Sequence, residues 1–205
     1  MSLKIPDDRN LVFFPNLSYP EAWAMRTRSK SKIEGRSVAS VRLVALKELV
    51  SSDKGDGDEN RWAILLTCGA NVLELGILYD KDQDFGRVYH EIHMMEPRLD
   101  AAETFDLPIG WRAKDTSMDE VIAIIFNTAL DKYRMVDGGL GVPWWCYEVL
   151  RQLGDDGVLT IKCRYEAWAA LRMVYPGRGS PLAVDVKRGY FIGRHESRNP
   201  TPEEE

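Results

Sequence analysis

The stretch from Asp137 to Leu153, DGGLGVPWWCYEVLRQL, limits what this chain can fold into more than any other. Gly138, Gly139 and Gly141 read as a turn. Pro143 suits the first helical position, where a missing N–H is harmless and φ is already set. Gly154 suits the stop. On a 3.6-residue period Trp145, Val149 and Leu153 share one face, with Trp144 and Tyr147 flanking it. A rigid helix start that presents large rings behind a glycine loop is a way to wall a pocket.

The first half of the chain reads as sheet. Residues 38–46 (VASVRLVAL) alternate, with Val41, Leu43 and Ala45 on one face. Further strands are expected at 61–68 (RWAILLTC), 71–79 (NVLELGILY) and 86–96 (GRVYHEIHMME). Gly69 and Ala70 mark a hairpin between the first two of these. In the last, Val88, His90, Ile92 and Met94 share one face, and Tyr89, Glu91, His93 and Met95 the other. An antiparallel meander is the simplest arrangement. Residues 97–115 read mostly as loop, pegged by Phe105, Leu107, Ile109 and Trp111. Ser117 to Leu130 reads as a helix. Ser117 and Glu120 make its capping box, and Val121, Ile124, Ile125, Thr128 and Ala129 its buried stripe. A short helix at 165–175 and a strand at 182–186 follow.

Ahead of the sheet lies an extended arm with Pro6, Pro15 and Pro20 around LVFF, then a short helix and a basic loop over 21–36. The terminal NPTPEEE has the composition of a disordered tail. The expected organisation is an N-terminal arm and loop (1–37), a single α+β domain (38–195) and an acidic tail (196–205). The domain is a mainly antiparallel sheet from the first half, with helices from the second half packed on one face.

Composition acts as an exclusion. A formal net charge of −5 does not supply the basic face of a nucleic-acid binder. Cys68, Cys146 and Cys163 have no CxxC spacing and read as reduced thiols. No apolar run nears the length of a membrane span, and LVFF is too short for a signal-peptide core. The expectation is a soluble cytoplasmic protein. Asp56, Asp58 and Asn60 have the opening spacing of a calcium loop, but Arg61 stands where glycine is required and no glutamate closes it. An acidic hairpin loop is the reading there. Dinucleotide, phosphate-loop, serine-hydrolase and zinc-protease motifs are absent, so no cofactor and no metal are expected.

The order of motifs resembles a known family. A VRLVA strand is followed by Asn-x-Trp-Ala-Ile-Leu-Leu, by a helix ending in Asp-Lys-Tyr, and by Gly-Gly-x-Gly-x-x-x-Trp opening another helix. This is similar to a family of small, largely uncharacterised proteins of filamentous fungi, over roughly residues 38–192. That family carries Asn-His-Trp on the strand and Gly-Cys-Arg-x-Trp at the helix start. A histidine on an early strand, with a cysteine opening a later helix, also resembles a permuted papain-like (NlpC/P60-like) arrangement, in which the two would pair. Here Arg61 replaces the histidine and Val142 the cysteine. Valine is no nucleophile and arginine no general base at neutral pH. The resemblance implies a chain that has dropped a covalent step and kept a cavity.

The chemical candidates follow from what is left. Arg61 is a donor for a carbonyl or carboxylate, with a salt bridge at the sheet end as its structural alternative. Glu91 and His93, two apart on one strand face, could act as an acid–base pair, or form a solvated strand face. His90 and His93 fall on opposite faces, and no ligand cluster for zinc is apparent. Tyr133 is a second donor. Trp62, Trp111, Trp144 and Trp145, with Glu91, are the expected substrate-binding residues, ordinary core packing being the alternative for the rings. The resulting expectation is a cofactor-independent isomerase or cyclase of the pericyclase, Diels–Alderase type. It would act on a bulky apolar natural-product intermediate, with Arg61, His93 and Tyr133 as its catalytic groups. A homodimer is allowed, and neither nucleic acid nor a membrane is an expected partner. The competing readings are a non-catalytic ligand-binding or interaction module, and a cysteine-dependent hydrolase or acyltransferase relic built on Cys146.

Overall fold

The computed structural model describes residues 12–13, 37–51, 58–80, 85–136, 140–176 and 178–193. The expected short helix and basic loop over 21–36, most of the arm, residues 52–57 of the expected acidic loop, the acidic tail, Gly138 and Gly139 lie outside these residues.

Alternating apolar residues bounded by turn signals give the long strands where they are expected. They are β2 (Ser40–Ser51), β3 (Asp58–Cys68), β4 (Asn71–Asp80) and β5 (Phe85–His93). With β1 (Val12–Phe13) and β6 (Ala101–Leu107) they form one six-stranded antiparallel sheet in the order β1-β5-β4-β3-β2-β6. Gly69, at φ +61°, makes the tight β3–β4 reversal.

β6 corrects the loop expected at 97–115. Its sequence AAETFDL lacks the run of large apolar residues that marks a buried strand, because β6 is an edge strand held mainly by backbone pairing to β2. It follows β5 in the chain yet lies at the far side of β2, so residues 94–100 cross the sheet between them. An Arg42–Glu96 ion pair and the Lys47 N–H to Asp100 carbonyl bond of 2.9 Å hold that crossing.

The helices pack on the other face. In α1 (Met118–Asn127) the capping box is complete. The Glu120 N–H donates to Ser117 Oγ at 3.2 Å and the Ser117 N–H to Glu120 Oε2 at 2.7 Å. α2 (Val142–Asp155) starts from Gly141 at φ +108°, a left-handed conformation that a side chain would resist. Gly154 proves to be inside this helix. Gly157, at φ +76°, takes the left-handed position after its end. α3 is Cys163–Leu171. The expected strand at 182–186 reduces to β9 (Leu182–Ala183), paired with β8 (Met173–Val174), while β10 (Tyr190–Phe191) pairs with β7 (Tyr133–Arg134). The architecture is α+β, as expected.

One large core joins the two layers. Leu43, Trp62, Ile64, Leu66, Leu73, Leu75 and Ile77 of the sheet meet Val121, Ile125, Trp145, Val149 and Leu153 of the helices. Burying each such side chain stabilises by about 1.5–3 kcal/mol. The opposite face of the sheet carries a smaller cluster of Val44, Leu46, Leu65 and Val72, against which Leu99 of the crossing segment and Ala101 of β6 pack. Among the described residues, no helix is long and apolar enough to cross a membrane.

Candidate functional site

The face of the sheet opposite α1, α2 and α3 holds a polar network inside this apolar setting. Its centre is Glu74, a carboxylate on β4 whose side chain is 1% exposed. An ionised group so deep in a protein costs heavily unless hydrogen-bonded. Glu74 has two partners. The Tyr89 hydroxyl donates to Oε1 at 2.8 Å, and His93 Nε2 lies 2.9 Å from Oε2.

Strand register explains why these side chains meet. Along β4 and β5, Val72 stands opposite His93, Glu74 opposite Glu91, and Gly76 opposite Tyr89. His93, Glu91 and Tyr89 alternate along β5, so all three project from one face. Gly76 supplies the space the network needs. A Cβ there would sit 2.5 Å from the Tyr89 ring, so only glycine lets the ring lie across β4. The ring then carries its hydroxyl to Glu74 and on to β3, where Arg61 Nη2 donates to it at 3.3 Å. Burial first, then the charge of Glu74, pushes the Tyr89 hydroxyl up, against the pull of Arg61. The phenol therefore remains a proton-bearing donor to Glu74.

The network reaches towards solvent at His93. Its side chain is 20% exposed and that of Glu91 14%, with Glu91 Oε2 3.9 Å from His93 Nε2. A buried carboxylate that orients a partly exposed imidazole is the arrangement of a positioned proton carrier. The same atoms have a second capacity. One ligand atom each from Glu74, Glu91 and His93 lies within 4.8 Å of the others, a set that could hold a metal ion. This corrects the expectation that no ligand cluster exists, because Glu74 comes from a neighbouring strand and not from the 86–96 segment. Its signal in the sequence was a lone carboxylate in the otherwise apolar run NVLELGILY.

Of the expected site residues, the fold brings Arg61, Glu91 and His93 together through Tyr89 and Glu74, neither of which was anticipated. Tyr133 is elsewhere, at the start of α2. Its hydroxyl donates to the Gly141 carbonyl at 2.8 Å and accepts from the Gly189 N–H at 2.8 Å, staples that shape the glycine turn. The tryptophans are elsewhere too. Trp62 follows Arg61 on β3 and so points to the helix side, where it packs with Phe105 and Tyr175. Trp145 is buried, its indole N–H donating to the Leu130 carbonyl at 2.9 Å. Trp144 packs with Tyr147 and Trp168 and lies beneath the Arg188 guanidinium. Trp111 is 78% exposed and rests against Gly157.

The start of β3 and the start of α2 meet. Glu59, next but one before Arg61, accepts the Gly141 N–H at 2.9 Å, one residue before Val142. Its other oxygen, Oε1, is buried without a hydrogen bond. Burial raises the Glu59 carboxyl to about 7, although the N–H groups of Gly141, Lys187 and Val142 and the charge of Lys187 pull it down. Next to Glu59, Asn60 acts as a clamp. It donates to the carbonyls of Leu46 and Tyr175 and accepts from the Tyr175 N–H. Cys146, one turn into α2, is fully enclosed, and burial followed by the charge of Glu59 pushes its thiol far up. Such a thiol has no thiolate to offer as a nucleophile.

The chain belongs to the family described as "Domain of unknown function (DUF7770)", whose model matches residues 41–192. No curated protein and no solved structure matches it.

Proposed function

Starting from that family membership, which brings no activity with it, we propose that the protein is a cofactor-independent isomerase or cyclase. Its substrate is a bulky apolar natural-product intermediate that bears a carbonyl group, and pericyclic ring closure belongs to the same class. The observation that carries the reading is Glu74, a buried carboxylate holding a partly exposed imidazole on one oxygen and a Tyr–Arg pair on the other.

In this reading His93 moves the proton, and Glu74 fixes the ring's orientation and steadies the charge it gains. Arg61 stabilises negative charge that develops on the substrate oxygen. Leu65, opposite Glu74 in register, and Val72, opposite His93, belong to the buried apolar cluster that flanks the polar row. Binding a flexible substrate in its reactive fold lowers the barrier without a covalent intermediate. The three cysteine side chains are buried and form no disulfide among the described residues, which fits a reducing compartment.

Isomerisation conserves mass. The purified protein, incubated without cofactor with a panel of unsaturated apolar carbonyl compounds, is expected to yield a product of unchanged mass and altered chromatographic retention. Glu74→Gln should slow that conversion by about a hundredfold or more, the range of positioned acid–base groups. Compounds that bind and are returned unaltered would instead make the protein a binding module.

A further inference from the structure

The geometry points to a divalent transition-metal site formed by Glu74, Glu91 and His93. It goes beyond the acid–base role, since these atoms can share an ion as well as a proton.

The donor set is the first argument. One imidazole nitrogen and two carboxylate oxygens suit zinc and its first-row neighbours, whereas calcium and magnesium favour oxygen alone. Three protein ligands would leave one position for water.

Spacing is the second. Ligands about 2.1 Å from an ion lie roughly 3 Å apart at right angles and roughly 3.4 Å apart in a tetrahedron. His93 Nε2 is 2.9 Å from Glu74 Oε2 and 3.9 Å from Glu91 Oε2. The three ligand atoms span up to 4.8 Å, so a side-chain movement of about 1.4 Å in Glu91 would close the set on a zinc-sized ion.

The third argument is that the ligands are already oriented. Tyr89, itself held by Arg61, donates to Glu74 Oε1 and so turns Oε2 towards His93. Outer partners of this kind aim ligands in known metal centres. Glu91 Oε2 is buried and accepts no hydrogen bond, so it has a lone pair available where the ion would sit. Glu74 and Glu91 also stand directly opposite each other in register, a like-charge pairing that a dication between them relieves.

An ion and a proton compete for the same His93 Nε2. It follows, on the acid–base reading above, that an occupied site is catalytically silent and that zinc inhibits turnover.

The test uses the full chain, stripped of metal and free of substrate. Zn²⁺ is titrated by calorimetry and Co²⁺ by visible absorption. The expected result is one equivalent of each bound, with Co²⁺ giving the intense bands of a low-coordinate site. His93→Gln should weaken Zn²⁺ binding at least a hundredfold and Glu91→Gln at least tenfold, both with unchanged circular dichroism. Tyr89→Phe, which removes only the outer hydroxyl, should weaken it about tenfold. Wild-type binding weaker than millimolar, or equal binding by the wild type and His93→Gln, would overturn the proposal. Binding is read without substrate, so its failure leaves the acid–base reading standing. Absence of any turnover, in turn, leaves the metal site standing.

Discussion

Glu59 shows how much a single residue can set at the join between sheet and helix. Its carboxyl sits at the first turn of α2, bonded to the Gly141 N–H, with one oxygen unmatched. Burial raises it from 4.5 to about 7. A carboxyl raised on folding means that the native state keeps a proton which the unfolded chain releases. Stability is therefore expected to fall as pH rises from 4.5 through 7, and to level off above that. The full effect is about 3 kcal/mol. Glu59→Gln mimics the protonated form and should remove the slope. Urea melts should show the variant close to the wild type at about pH 5 and more stable at about pH 8. Wild-type stability that rises across this window would contradict the account. None of this was legible in the sequence, where Glu59 is one more acid in SSDKGDGDEN. Only the approach of Gly141, far along the chain, makes it special.

Among the elements, the strands were readable where side-chain alternation decides their place, and unreadable where backbone pairing does. The meander from β2 to β5 follows from apolar residues on alternate positions. β6 has no such pattern and is placed by its partner. The capping box of α1 was readable because it is local, with both partners within four residues. The stop of α2 was misplaced because Gly154 and Gly157 differ only in the conformation the fold demands of them. Gly76 belongs to this scale as well, since its meaning lies in the strand beside it. Gly76→Ala forces the Tyr89 ring off β4 and should cost about 1–3 kcal/mol. In a Tyr89→Ala background the same change should cost nothing, or stabilise by up to about 1 kcal/mol by removing a strand glycine. Chemical denaturation of the four proteins of this double-mutant cycle measures the difference. An equal cost in both backgrounds would mean that Gly76 does not serve the ring.

At the scale of the molecule, the sheet separates two sets of residues that the sequence placed in one site. Arg61 and Trp62 are neighbours in the chain, but strand alternation sends them to opposite faces. Trp62, Trp144 and Trp145 join the helix-side core, while Arg61, Glu91 and His93 meet on the sheet face opposite α1, α2 and α3. Residue types were legible, and so was the β5 face that carries Tyr89, Glu91 and His93. The pairing that brings Glu74 to His93 was not, because it is fixed by register between strands. The central claim is that the Glu74–His93 network, on the sheet face opposite α1, α2 and α3, carries the proposed activity. Comparing His93→Gln with Trp144→Phe in the mass-conserving conversion tests it most directly. The account predicts that His93→Gln lowers kcat by about a hundredfold or more at unchanged Tm, while Trp144→Phe stays within about twofold of the wild type. Loss of turnover in Trp144→Phe, with His93→Gln unaffected, would contradict it.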